Sequence, residues 1–183
     1  AGTDPFAGMG LQFTAEPFLW MFRTREPRAP RRLALAPGLR QWFDTSSLLI
    51  CRPSAATARR FSATLLGGDN GVNHNHNDIG TFTVVLDGRT LVADPGAETY
   101  SFRTFSTHRY DSQLLNSYGH PVPRVAGQLQ EAGAEYRARV VEKEFTDDAD
   151  RMVLELRNAY DVPVLRSLRR EFLYDRRGAG DRK

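Results

Sequence analysis

Residues 81–94, TFTVVLDGRTLVAD, carry the strongest hairpin signal in the chain. Two runs rich in β-branched residues flank the dipeptide Asp87-Gly88. This pattern is typical of a tight β-hairpin, because Asp and Gly tolerate the positive φ angles that a two-residue turn requires. Pairing outward from the turn opposes residues whose numbers sum to about 175, which places Asp94 near Thr81. The sequence therefore predicts a hairpin whose second strand ends beside the residues that precede the first.

The chain on either side of this hairpin repeats the same alternation of short apolar runs and turn residues. Hardly any helical periodicity lies between these runs, which favours a mainly β fold, an antiparallel β-sandwich. We expect the sandwich to cover residues 34–183 and, because no closing hairpin is evident, to be cut short at its C-terminus. The predicted strands are 42–44, 47–52, 59–66, 82–86, 90–93, 136–141, 152–156 and 165–174.

Residues 1–33 differ in character from the rest of the chain. The segment 17–23, PFLWMFR, is typical of a short helix, with proline in its first turn and arginine near its end. The segment 26–32, EPRAPRR, contains two prolines and three arginines and indicates an extended linker. We therefore predict a helical tail and linker ahead of the β domain.

The composition of the 183 residues excludes several classes of protein. It is 40% hydrophobic and 26% charged, which is typical of a folded globular protein. No apolar run approaches the ~20 residues of a membrane span. The single Cys51 excludes an internal disulfide and a multi-cysteine zinc site, and is expected to be a small buried residue. His108 is expected to lie at the surface or to support the site from behind its ligands.

The net charge of +3 rests almost entirely on arginine. Arginine binds carboxylates and sulfates through paired hydrogen bonds, so an anionic polymer is an acceptable partner. Basic and aromatic residues are not interleaved, and we therefore expect no nucleic-acid partner.

The chemistry-bearing residues concentrate in NHNHND, residues 73–78, directly before the hairpin. On a strand, His74 and His76 would share one face about 7 Å apart. Both could hold one metal ion, or one could hold it while the other transfers a proton. Asp94 and His120 lie downstream and could complete the site, since two histidines and one aspartate form a normal zinc ligand set.

These motifs together resemble the C-terminal β-sandwich domain of the heparinase II/III-like polysaccharide lyases. The resemblance extends over about residues 35–174. It is carried by 74–82 (HNHNDIGTF), Asp87-Gly88, Asp94-Pro95-Gly96, Tyr100, Arg109-Tyr110, 116–118 (NSY) and 127–130 (GQLQ).

The resemblance implies a Zn²⁺ ion held by His76, Asp94 and His120. It makes His74 the catalytic residue, as a base or as the group that neutralises the substrate carboxylate. The zinc would be mainly structural and would help to aim His74. Residues expected to contact the substrate or support the site are Asn73, Asn75, Asp78, Tyr100, Arg109 and Tyr110.

Lyases of this family cleave uronic-acid polysaccharides by β-elimination, with a base removing the C5 proton and an acid protonating O4. Their catalytic tyrosine comes from an N-terminal helical toroid, of which residues 1–33 would be the last piece. The implied partners are thus an acidic polysaccharide and this toroid, and the chain alone is expected to be inactive. By family analogy the protein is bacterial, and periplasmic or secreted.

Two other classes of protein remain open from the residues. One is a non-catalytic carbohydrate-binding or structural β-sandwich with a zinc ion, which a buried His74 would favour. The other is a cupin-type metalloprotein. A cupin would place a glutamate four or five residues after the second histidine, where this chain has Gly80 and Thr81.

Overall fold

A computed structural model describes residues 38–55 and 60–177, all within one unit that spans Pro37–Lys183. This part of the chain is mainly β, as predicted, and its only helices are three single 3-10 turns. The predicted helix at 17–23 and the linker at 26–32 lie outside the described residues. The strands are β1 (Arg40–Phe43), β2 (Leu48–Cys51), β3 (Phe61–Leu66), β4 (Asp69–Asn70), β5 (Phe82–Leu86), β6 (Arg89–Val92), β7 (Gly133–Arg137), β8 (Arg139–Phe145), β9 (Ala149–Glu155) and β10 (Arg169–Asp175). The 3-10 turns are Arg103–Phe105, Arg109–Asp111 and Arg157–Ala159.

The strands form three antiparallel sheets within the described ranges. The largest has the order β1-β2-β3-β5-β6, the second has the order β10-β9-β8, and β4 pairs with β7. Most neighbours in the two larger sheets are also neighbours in sequence, which short turns permit only between antiparallel strands. No helix among these residues is long and apolar enough to cross a membrane.

The hairpin predicted around Asp87-Gly88 is confirmed as β5 and β6. Both turn residues have positive φ, +49° and +79° respectively. Leu86 pairs with Arg89 next to the turn, in the predicted register. The register then shifts by one residue at a bulge, so that Val84 faces Val92. The bulge moves Asp94 one position along the first strand from the place that simple counting predicted.

One hydrophobic core joins the two larger sheets. Alternate residues of β2 and β3 point inward from the five-stranded sheet, and residues of β9 and β10 meet them from the three-stranded sheet. Cys51 is fully buried in this core, as predicted. Burial, followed by the charge of Asp150, raises the pKa of its thiol. The fully or almost fully buried residues of these four strands include Leu49, Cys51, Ala63, Leu65, Met152, Leu154 and Tyr174.

Three strand predictions are wrong by three or more residues at an end. The strand predicted at 152–156 begins earlier, at Ala149. The segment 136–141 contains the end of one strand and the start of another, because the chain leaves the β4–β7 pair and enters the three-stranded sheet around Ala138. The last strand begins at Arg169 instead of residue 165. A turn in which the Leu165 amide donates to the Val162 carbonyl precedes it.

Candidate metal centre

The segment 71–81, which holds both histidines of the NHNHND motif, is a turn-rich loop between β4 and β5. The expectation that His74 and His76 share a strand face is therefore wrong. The Asn75 amide donates to the Val72 carbonyl, and His74 between them has a φ of +60°. This left-handed conformation breaks the two-residue alternation of a strand, so the two imidazoles have different environments.

Three of the predicted ligands, His76, Asp94 and His120, come together in space. Each offers one ligand atom, and these three atoms all lie within 4.8 Å of one another. His76 comes from the loop 71–81, Asp94 follows β6, and His120 lies in the loop after Tyr118. The group could hold a metal ion, because imidazole nitrogens and a carboxylate oxygen are common ligands of divalent metals.

His120 provides the most informative geometry of the group. Its side chain is fully buried, and its Nε2 lies 3.1 Å from the carbonyl oxygen of Leu114. Its Nδ1 lies 2.9 Å from Oδ2 of Asp94. Both ring nitrogens therefore face oxygen acceptors, although a neutral imidazole carries only one N–H.

A buried imidazolium satisfies this arrangement, and so does a neutral ring that shares a cation with Asp94. With a cation bound, Nε2–H would donate to the Leu114 carbonyl, and Nδ1 would be the ligand atom. Metal-ligating histidines characteristically donate their other N–H to a carbonyl or carboxylate, which fixes the ring. The residues therefore fit a bound divalent metal.

Charge and burial around the group also suit metal binding. Burial, followed by the proximity of His120, lowers the pKa of His76, which favours the neutral imidazole that a metal requires. Asp78 lies at the edge of the group, with its Oδ2 3.9 Å from Nδ1 of His120. Burial raises the pKa of Asp78 to about 6, an effect that His120 opposes and Asp94 reinforces.

Gln130 holds the loop that carries His76. Its buried side chain accepts from the Ile79 amide at 2.9 Å and donates to the Ile79 carbonyl at 2.8 Å. Its backbone carbonyl accepts from Nδ2 of Asn77, and its backbone amide donates to Oγ of Ser117. Gln130 therefore ties the loop 71–81 to the segment that leads to His120.

Gly80 ends the loop in a conformation that favours glycine. Its φ is +86°, and a Cβ atom there would lie 2.9 Å from Cδ1 of Leu156 in the core. The Gly80 carbonyl accepts a hydrogen bond from the guanidinium of Arg170, which also donates to Pro121. The loop is consequently fastened to the core directly before β5 begins.

We expect Gln130→Ala to lower the free energy of unfolding by about 2 kcal/mol, because both backbone polar groups of Ile79 lose a buried partner. Urea denaturation measures the change. Gln128→Ala is the matched control, since Gln128 is exposed and only its backbone makes hydrogen bonds with the described residues. Equal stability of the two variants would contradict the role given to Gln130.

His74 lies outside the metal group, in an exposed aromatic cluster. Its Nδ1 is 3.2 Å from the hydroxyl of Tyr100, and the two rings stack with centroids 5.7 Å apart. Phe105 contacts both rings edge-on. The exposed imidazole and phenol thus form one hydrogen-bonded pair that a ligand can reach.

The other predicted site residues take mainly supporting positions. Arg109 donates to the Asn75 carbonyl through Nε and Nη2, and to the Thr104 carbonyl through Nη1. The carbonyl of Tyr110 accepts from Nδ2 of Asn116. Asn73 is exposed on the loop, and His108 is exposed beside Asp111, as expected for a surface histidine.

Sequence reasoning missed two residues that organise this region. Gln130 appeared only within the motif that carried the resemblance, and Glu98 had no signal at all. The carboxylate of Glu98 accepts hydrogen bonds from Arg103, Thr104 and Ser112, which fixes the segment beside the aromatic cluster.

No protein-family model matches the chain, and no curated protein matches it either. The residues themselves therefore define the class of site. It consists of two histidines and one aspartate that could hold a metal ion, and an exposed His–Tyr pair lies near them in sequence.

Proposed function

We propose that this chain is the β-sandwich domain of a polysaccharide lyase similar to the heparinase II/III-like enzymes, and that it binds zinc through His76, Asp94 and His120. The single observation that carries the proposal is the convergence of these three side chains, from separate segments, into one group. The core shared by the two larger sheets supports the sandwich interpretation.

Zinc suits this ligand set. Two imidazoles and one carboxylate form a common zinc set, whereas calcium and magnesium prefer oxygen ligands alone. Bound zinc would supply a positive charge that joins the loop 71–81 to Asp94 and His120. The role of the ion would thus be to hold the loop that carries His74.

The exposed pair supplies the group that acts at C5 of the substrate. The reaction requires a base that removes the C5 proton of the uronate, so that the C4–C5 double bond forms and the C4–O4 bond breaks. His74 is the base, or the group that neutralises the carboxylate, and the Tyr100 hydroxyl fixes its ring. An acid protonates the departing O4. The family's tyrosine for this step would come from a helical toroid preceding this domain.

The test uses the protein that carries both the toroid and this domain. Heparin, heparan sulfate and alginate are supplied, and the ultraviolet absorbance of the unsaturated product is followed. We expect His74→Ala to lower turnover roughly 100-fold or more while metal content is unchanged. His108→Ala is the matched control, because it removes an exposed histidine elsewhere. Absence of unsaturated product from every polymer would contradict the proposal.

The second candidate is a non-catalytic carbohydrate-binding domain with a structural metal. The engagement of His74 by Tyr100, in both a hydrogen bond and a ring stack, favours it. The exposure of His74 argues against it, since a purely structural histidine is expected to be buried. Binding of an acidic saccharide without product, unaffected by His74→Ala, would support this candidate.

A further inference from the structure

We propose that a second site, an arginine-lined cavity between β8 and the 3-10 turn at Arg157–Ala159, binds the sulfate and carboxylate groups of an acidic oligosaccharide. The cavity has a volume of about 410 Å³ and shares no residue with the metal centre. We call it the arginine cavity. Its lining residues are Arg137, Ala138, Arg139, Glu155, Arg157, Asn158 and Arg166.

The cavity carries a strong excess of positive charge, with four guanidinium groups and one carboxylate. That carboxylate, Glu155, already accepts hydrogen bonds from the amides of Arg157 and Leu168 and from the hydroxyl of Ser167. Its side chain is only 15% exposed, and Arg169 lies 3.7 Å away. Glu155 is thus largely satisfied by the protein and leaves the arginines able to attract anions.

Among the residues that the structure describes, two of the four cavity guanidiniums have hydrogen-bond partners and two have none. Arg137 donates to the Ala134 carbonyl, and Arg157 donates to Leu165 and Asn158, so both guanidiniums are fixed in direction. Arg139 and Arg166 are exposed, and neither makes an ion pair or side-chain hydrogen bond with any residue in 38–55 or 60–177. Fixed and unpaired guanidiniums in one cavity can bind several oxyanions at once, because each offers a planar fork of donors.

The lining favours a saccharide over a single-stranded nucleic acid. Single strands bind to aromatic rings on which their bases stack, and no aromatic residue of 38–55 or 60–177 lines the arginine cavity. The amide of Asn158 adds a partner for a sugar hydroxyl. Sulfates and carboxylates repeated along a sugar chain match several guanidiniums in one cavity. This binding does not depend on lyase chemistry.

Calorimetry with a sulfated heparin oligosaccharide at several salt concentrations tests the proposal. We expect the double variant Arg139→Gln/Arg166→Gln to bind roughly tenfold or more weakly, because at least one charge-assisted contact is lost. The slope of log affinity against log salt should fall by about two, one for each missing cation.

The matched control is Arg89→Gln/Arg124→Gln, which removes the same charge from exposed positions outside the cavity. The affinity of this control for the oligosaccharide should stay within about threefold of that of the wild type, since distant charges are screened at physiological salt.

Equal losses of affinity in both double variants, or no loss in either, would overturn the proposed site. If duplex DNA of the same charge binds as tightly as the heparin oligosaccharide, the assignment of a saccharide as the ligand of the arginine cavity is overturned. Thermal melting verifies that both variants fold. Because His74→Ala leaves the cavity intact, its effect on turnover is separate from this result.

Discussion

Replacing His120 with alanine is expected to lower metal affinity by more than about 100-fold, since even the partners of metal ligands change affinity 10- to 100-fold. His120 is the fully buried member of the group and faces Asp94 and Leu114 through its two nitrogens. Its loss removes one of the three candidate ligands and takes from Asp94 the imidazole that lies 2.9 Å from its Oδ2. His76→Ala and Asp94→Ala should have the same effect.

Metal content of the purified, tag-free chain measures this result. His108→Ala is the control, because it removes an exposed imidazole, whose Nδ1 lies 3.1 Å from Asp111 and which is not part of the metal group. Circular dichroism separates loss of metal from loss of fold. Metal that survives His120→Ala would exclude His120 as a ligand and point to Asp78, whose Oδ2 lies 3.9 Å away, or to His74. A wild-type protein without metal would identify the group as a hydrogen-bonded structural pair.

Asp150→Ala is expected to lower the free energy of unfolding by about 3–5 kcal/mol, because it leaves a buried guanidinium without its counter-charge. Asp150 is fully buried and accepts hydrogen bonds from Arg176 and Arg40. The side chain of Arg176 is only 2% exposed, and it also donates to the carbonyls of Leu39 and Arg52. The group joins β1, β9 and the residue after β10.

Urea denaturation followed by circular dichroism measures the loss. The control is Glu171→Ala, which removes one exposed partner of Arg151 and should cost no more than about 1 kcal/mol. A similar change in both variants would mean that Asp150 and Arg176 contribute no more than a surface pair.

The local features of the fold were predictable from the sequence. The Asp87-Gly88 hairpin depends on two turn residues and their flanking runs, and its register was correct next to the turn. The bulge between Val84 and Val85 was not predictable, because it depends on how β6 leaves its neighbour. For the same reason the change of sheet at Ala138 was read as one continuous strand.

The candidate site also has features that the sequence predicted and features that it did not. Resemblance in sequence motifs selected His76, Asp94 and His120, and the structure brings them together. The local rule for residues two apart failed for His74 and His76, because the loop conformation depends on distant contacts. Chief among them are the two hydrogen bonds between the Gln130 side chain and the backbone of Ile79.

By itself, the sequence determined the β class of the described residues, the central hairpin and the residue types available to a metal, because each depends on composition or on neighbours along the chain. Only the tertiary structure decided the separation of His74 from the metal group, the buried contacts of His120 and the gathering of four arginines around one cavity. These features arise from contacts between residues far apart in sequence, and no local pattern contains that information.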